Sequence, residues 1–360
     1  MIGEYQILST LRYDSNLAKL EGITLNTDND LVVQYSTVND DFLLDTKCNG
    51  YEWKAEMIQD GTKDFHIFQK EFSQVNNISL TKLSLPLDSI KNFDDRIIVD
   101  ATYMDFIQSR CLFVPQHLAR INLALKYFDC PREPLTLNEL LTLLIDTFID
   151  KSKTLMDNLK EMGNVSNSQI YKIRILIDKN GHVITEAHPL NLSSEHTTSK
   201  TCTQYFYKTL LNGLCETSNN IWSIFKDIEP ITSTTPYTTF KTTNRLHYTL
   251  ARERMMRMIT KSNNTYLNKT KCEILLFNQS SFVMEGSITN IAVSRKNKQN
   301  RIQWITPPLR SGCLCGIFRY YLLRMGYIEE DDIKLNEINI GDTILIFNGV
   351  MGCVKAIVTK

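Results

Sequence analysis

Residues 272–306 read CEILLFNQSSFVMEGSITNIAVSRKNKQNRIQWIT. Four runs, CEILLF, FVMEGS, NIAVSR and RIQWIT, are rich in β-branched and aromatic residues, and polar turns at NQSS and KNKQN help separate them. They are expected to form four strands. Upstream, a helix is expected from Asn244 or Arg245 to Ile259, with Leu246, Leu250, Met255 and Met258 turned inward. Downstream, a helix is expected over about 313–326 (CLCGIFRYYLLRMG). A final pair of strands, TILIFN and CVKAIVT, follows the Gly341-Asp342 turn. Strands dominate with helices interspersed, which indicates an α+β architecture and not a regular βαβ winding.

The first half is less uniform. Residues 5–12 (YQILSTLR) alternate as a strand does, whereas residues 15–98 are polar and irregular and read as a long insertion. From Pro115 onward, Leu118, Ile121, Leu123, Leu125 and Phe128 mark a helix that Pro131 stops. A second helix is expected over about 136–161, capped by Thr136 or Asn138. Two strands, IYKIRILID and HVITEAHPL, flank Lys179-Asn180-Gly181, a hairpin signal. The aperiodic NLSSEHTTSK, residues 191–200, is read as a linker between an N-terminal domain (1–190) and a C-terminal domain (201–360).

Composition excludes several classes. The 360 residues are 42% hydrophobic and 22% charged, ordinary for a soluble globular protein. Forty basic residues balance 40 acidic ones, so no net field favours nucleic acid or an anionic membrane. The N-terminus lacks the features of a signal peptide, and no run reaches the length of a membrane span. Nine cysteines at irregular spacing fit reduced, mostly buried thiols and a cytosolic protein. Cys313 and Cys315 lack the second pair or nearby histidine of a zinc set, so no metal site is expected.

Five segments could carry chemistry. Lys241, in FKTTNRL, lies where a Ser/Thr/Pro loop meets a helix, and a lysine poised to lose its proton there could act as a nucleophile. Glu285 ends a strand at a tight turn, where a fixed carboxylate could pair with a pyridinium nitrogen. In TPPLRSGCLCGIFR (306–319), the N–H groups of Gly316, Ile317 and Phe318 at a helix start would cradle a phosphate. FNGVMGCV (347–354) puts two glycines in a turn, where backbone can approach a ligand. Arg120, in HLARI, could fork onto a phosphate. Each alone has a plain explanation: a solvated lysine, a turn glutamate, a packing glycine, a hairpin, a surface arginine.

Together and in this order they resemble the fold-type IV pyridoxal-phosphate enzymes. That group includes the branched-chain and D-amino-acid aminotransferases and the aminodeoxychorismate lyases. The family pattern appears as His117/Arg120, Lys241/Asn244, Glu285-Gly286/Asn290, Thr306-Pro307/Gly316-Ile317 and Asn348-Gly349, across residues 112–354. The K-x-x-N-R-L pattern at 241–246, the N-G-V-M turn at 348–351, the E-G-S-I-T-N-I block and the G-C-L-C-G run are similar to the lyase branch in its fungal form. The resemblance implies a two-domain, D-amino-acid-aminotransferase-like α+β fold with pyridoxal 5'-phosphate held by Lys241. It places Arg120, Gly316, Ile317 and Phe318 at the phosphate, Glu285 at the ring nitrogen and Leu314 against the ring. It further implies a small-molecule substrate, 4-amino-4-deoxychorismate, used in folate synthesis. Arg245, Arg174 and Asn348 are the candidates for holding it. Family members are homodimers. Here about 100 residues separate Arg12 from His117 where the family has a short stretch, so a monomer capped by the insertion is the other expectation.

Overall fold

The structure, a computed structural model, describes residues 5–15, 17, 107, 110–148, 170–190, 209–214, 220–232, 236–261, 271–296, 302–324 and 326–359. Nearly all of the insertion, the end of the second expected helix and the 191–200 linker lie outside these residues. The chain divides into two compact units, with the described residues from Thr209 onward in one and those from Gln6 to Leu190 in the other.

The N-terminal unit holds an antiparallel three-stranded sheet in the order β1 (Ile7–Asp14), β2 (Ile170–Ile177), β3 (Val183–Pro189). The hairpin between β2 and β3 forms because Asp178 Oδ1 accepts the N–H groups of Asn180 and His182, and Gly181 takes a φ of 83°. Helix α1 (Val114–Tyr127) is buried on nearly every side, as Leu118, Ala119, Ile121, Leu123, Ala124 and Leu125 show. Asn122 ties it to the next element through two hydrogen bonds with the backbone of Leu135. Of the two candidate caps for α2 (Leu137–Asp146), Thr136 is the one used, accepting the Glu139 N–H at 3.1 Å. The helix ends at Asp146, where the Thr147 hydroxyl turns back to Leu143 O and to Thr185; residues 149–161, the rest of the expected helix, lie outside the described residues.

The C-terminal unit is built on an eight-stranded mixed sheet. Its strands are β4 (Ile221–Lys226), β5 (Cys272–Phe277), β6 (Val283–Gly286), β7 (Asn290–Lys296), β8 (Ile302–Thr306), β9 (Glu329–Glu330), β10 (Thr343–Asn348) and β11 (Gly352–Val358). They lie in the order β6-β5-β4-β11-β10-β7-β8-β9. The four strands read from residues 272–306 and the closing pair are all present. Strand β4, in IWSIFK, has no counterpart in the sequence reading, yet it is central, pairing in parallel with both β5 and β11.

The order of strands forces curvature. β6 and β7 stand first and sixth in the sheet, yet only Ser287, Ile288 and Thr289 join them. In a flat sheet they would be about 24 Å apart, five gaps of about 4.8 Å. Four residue steps reach roughly 14 Å at most. The sheet therefore curls until its β6 edge comes round toward β7, and the short connector becomes a seam. Its inner face is filled by Ile224, Leu275, Val283, Ile291, Ile344, Ile346 and Val354, all buried.

Helix α3 (Leu246–Lys261) corrects the expected inward face. Met255 and Met258 are buried, but Leu246 is 67% and Leu250 43% exposed; the buried stripe is Tyr248, Ala251, Met255, Met258 and Ile259. The stripe is shifted because Tyr248 turns inward, its hydroxyl having a buried acceptor, and the two leucines are left outside. Helix α4 (Ile317–Arg324) starts four residues later than expected, since residues 313–316 form an irregular approach to it that turns tightly at Leu314–Gly316. Among the described residues no helix is long and apolar enough to cross a membrane, and no group of acidic, histidine and cysteine side chains could hold a metal ion. The described cysteines are all free thiols.

The seam depends on one buried acid. Glu273, on β5, is fully buried. Its Oε1 accepts the N–H groups of Ile274 (2.9 Å) and Ser287 (3.0 Å) and the Ser287 hydroxyl (2.6 Å). Its Oε2 accepts the Ile288 N–H (3.2 Å) and the Thr289 hydroxyl (3.0 Å). Glu273→Ala strands these donors, and the expected loss of stability in urea unfolding is about 3 kcal/mol or more. A loss below about 1 kcal/mol contradicts this account of the seam.

Candidate functional site

Most of the chemistry-bearing residues of the C-terminal unit collect around the seam. Glu285 ends β6 and is 2% exposed. Its Oε1 accepts the Tyr248 hydroxyl at 2.5 Å, and its Oε2 accepts the Leu314 N–H at 3.0 Å. Burial pushes its carboxyl up to about 7. The Tyr248 and Leu314 hydrogen bonds oppose that rise, as do the charges of Arg245 and Lys241. Lys241 therefore lies within electrostatic reach of Glu285. Neither carboxylate oxygen, however, is taken by a cation among the described residues.

The Leu314 peptide is fixed at both ends. Its carbonyl accepts the Asn290 side-chain amide at 3.0 Å and the Gly316 N–H at 2.8 Å. Gly316 thus spends its N–H on Leu314 and stands just before α4, not inside its first turn. A Cβ at Gly316 would overlap Asn290 Oδ1, so only glycine lets the strand and the helix start approach this closely. Arg319, in the first turn of α4, bonds Pro307 O at 2.6 Å and pairs with Glu330, which secures the Thr306-Pro307 corner.

Arg245 donates to the Ser287 carbonyl, and its guanidinium carbon lies 4.1 Å from the centre of the Tyr248 ring. Asn348 donates to the Ile288 carbonyl at 3.2 Å, while its Oδ1 accepts the N–H groups of Val350 and Met351, both at 2.9 Å. In that turn Gly352, and not Gly349, is the obligatory glycine. Its φ is 74°, and a Cβ there would come within 2.6 Å of Leu210 Cα. Beside Arg245, His247 is driven down to about 4 by burial and then by that guanidinium, so it is neutral at physiological pH.

Arg120 and Arg174 belong to the N-terminal unit. Arg120 donates to the Ser9 hydroxyl at 3.2 Å, and that hydroxyl also meets His117 Nδ1 at 2.8 Å. Arg174 pairs with Glu186 across the β2–β3 ladder at 2.7 Å, on a half-exposed face.

Tyr248 and Glu273 escaped the sequence reading. A signal existed for the second: Glu273 is the one charged residue in an apolar strand run, and such a charge is buried only with partners. Tyr248 gives no local signal, since its burial depends on an acceptor 37 residues away.

The site has the marks of one that accepts pyridoxal phosphate. A buried carboxylate carries neutral donors only, and a lysine lies in electrostatic reach. The Thr238 and Thr239 hydroxyls, just before Lys241, are buried without a hydrogen-bond partner among the described residues. Unmet buried hydroxyls are costly unless a ligand supplies acceptors.

The amino-transferase class IV family matches residues 101–357, and the chain belongs to that family, with the fold-type IV, α+β architecture. The family is dependent on pyridoxal phosphate. The chain is 38% identical to the aminodeoxychorismate lyase of Saccharomyces cerevisiae over 264 residues, 71% of this chain and 69% of the yeast one. A Legionella pneumophila structure provisionally named as a 4-amino-4-deoxychorismate lyase is 15% identical, with a TM-score of 0.46; the match covers 70% of this chain and 81% of that one. A branched-chain amino acid aminotransferase from Escherichia coli is 14% identical, with a TM-score of 0.42, and the match covers 67% of this chain and 68% of that one.

The raised Glu285 carboxyl has a consequence for stability. A carboxyl raised in the fold binds its proton more tightly than in the unfolded chain. Its contribution is therefore most favourable below the ordinary 4.5 and is lost as pH rises through about 7. In cofactor-free protein, Glu285→Gln should remove up to about 3 kcal/mol of penalty at pH 8 and little at pH 5. Unfolding free energies measured at both pH values decide this; an equal effect at both rejects it.

Proposed function

We propose that this chain is a pyridoxal-phosphate-dependent lyase that converts 4-amino-4-deoxychorismate to 4-aminobenzoate and pyruvate, a step of folate synthesis. The observation that carries the reading is a buried Glu285 that lacks a cationic contact among the described residues, with Lys241 near enough for its charge to act on that carboxyl. The identity to the yeast lyase supports the choice of substrate.

Lys241 would hold the cofactor through its amine and, with substrate bound, would offer that amine as a base. Glu285 would pair with the ring nitrogen, Leu314 would lie against the ring, and Arg120 with the N–H groups of Ile317 and Phe318 at the helix start would hold the phosphate, Gly316 giving the chain room to approach it. When bound, the cofactor supplies an electron sink for carbon deprotonation next to the substrate nitrogen. Lys241 Nζ removes the proton at C4 of the substrate. The ether bond to the enolpyruvyl group then breaks, the ring becomes aromatic, and the departing enolpyruvate takes up a proton at carbon to give pyruvate. Aromatisation drives the reaction, so the protein has to direct a single deprotonation.

The two substrate carboxylates require cationic or polar partners, and we assign Arg245, Arg174 and Asn348 to them. The enzyme acts in the cytosol on a free small molecule, with no nucleic acid or membrane partner. It works through an N-terminal domain (1–190) and a C-terminal domain (201–360) joined by the 191–200 linker. It is a homodimer by family habit, unless the insertion at about 15–98 caps that face and leaves a monomer.

Purified protein supplied with pyridoxal phosphate and 4-amino-4-deoxychorismate should develop the fluorescence of 4-aminobenzoate. Borohydride should trap the cofactor on a peptide containing Lys241, and Lys241→Ala should lose turnover by a factor of about 10³ or more. Glutamate formed from an amino acid and 2-oxoglutarate, with no 4-aminobenzoate, would favour an aminotransferase instead. Arg245→Ala and Arg174→Ala should each raise KM for the substrate about tenfold or more while leaving the cofactor absorbance in place. An unchanged KM removes that arginine from the substrate site.

A further inference from the structure

Tyr248 lies seven residues after Lys241, on the buried stripe of α3. Its hydroxyl is 2.5 Å from Glu285 Oε1, a short bond in a buried setting. On its ring face lies the guanidinium of Arg245, 4.1 Å from the centroid, while the same guanidinium donates to Ser287 O. A cation over a phenol ring withdraws electron density from it and strengthens the O–H as a donor.

This arrangement has a particular electrostatic result. Had Arg245 met Glu285 directly, the two charges would have neutralised each other, leaving little field for a ring nitrogen. Instead the positive charge acts through a neutral phenol, and Glu285 keeps oxygen lone pairs to offer. Among the described residues, the charged and titratable groups that face Glu285 are Lys241 and Arg245 just before α3, Tyr248 on it, and Cys313 on the loop before α4. Of these, only Tyr248 contacts the carboxylate itself, alongside the backbone N–H of Leu314.

We infer that Tyr248 is a positioning residue for Glu285: its hydroxyl, backed by Arg245, fixes the carboxylate and holds it in the charged form that a cofactor ring nitrogen requires. The inference rests on the reading of Glu285 as the ring-nitrogen partner. Its effect on the carboxylate can nevertheless be measured without cofactor.

The test is an infrared titration of the full chain freed of cofactor, following the carboxyl band that disappears in Glu285→Gln. Tyr248→Phe keeps the ring under Arg245 and removes only the hydroxyl. It should move the Glu285 midpoint upward by about one to two pH units. A ring-fluorinated tyrosine at 248, a stronger donor of nearly the same shape, should move it downward. In the loaded enzyme, Tyr248→Phe should lower kcat about tenfold with KM within about twofold, because substrate binding is untouched while the proton-transfer step weakens. An unmoved midpoint, or a moved midpoint with kcat intact, overturns the inference. Failure of the wild-type chain to form 4-aminobenzoate would instead defeat the functional reading, and the cofactor-free titration would still report on the Tyr248–Glu285 link.

Discussion

The carboxylate of Glu273 is the contact on which the C-terminal unit depends. A curled sheet needs a seam, and here the seam is three residues long, so its peptide groups cannot all find partners in a regular ladder. Glu273 supplies the missing acceptors for the N–H groups of Ser287 and Ile288 and for the hydroxyls of Ser287 and Thr289. The remaining polar groups are answered in turn: Arg245 takes Ser287 O, Asn348 takes Ile288 O, and Gly286 N–H bonds Thr289 O. Burying a charged carboxylate is expensive unless it is well hydrogen-bonded, and five donors meet that condition. A stiff connector results, and every residue that enters or leaves it is fixed.

That stiffness explains why the chemistry gathers there. Glu285 leaves β6 immediately before the connector and Asn290 opens β7 immediately after it. Asn348 ends β10 beside β7, where Phe347 pairs with Asn290. Lys241 and Arg245 arrive from the loop that leads into α3. Residues more than 100 positions apart in sequence thus come to one place because the sheet closes on itself.

Much of this was legible in the sequence, for identifiable reasons. The strands in residues 272–306 carry strong β-branched runs bounded by polar turns, and they appear where they were read. The hairpin at 178–182 was signalled by its Asn-Gly pair and forms through Asp178. What escaped was whatever depended on partners distant in sequence. β4 is a short run whose place at the centre of the sheet comes from parallel pairing with β5 and β11, and no local pattern reports that. The inward face of α3 was read from its leucines, yet Leu246 and Leu250 face outward and Tyr248 is buried. A tyrosine can be a core residue when its hydroxyl has an acceptor, and the acceptor lies 37 residues away.

The two buried glutamates of this seam show how one fold assigns different work to the same side chain. Glu273 and Glu285 lie on neighbouring strands, β5 and β6, and both are almost without exposure. Glu273 receives five donors from the connector and its own strand, and Arg252 approaches it at 3.7 Å. Its hydrogen-bonding capacity is spent on holding the chain. Glu285 receives two among the described residues, from a phenol and a peptide N–H, and burial raises it to about 7. A carboxylate left under-satisfied in this way is a cost to the empty protein, and such a cost persists only where something else recovers it. A protonated ring nitrogen placed against Glu285 would provide that recovery. Cofactor binding would then be strongest for the charged form of Glu285, and the same stiffness that Glu273 gives the seam would keep that carboxylate aimed at its partner.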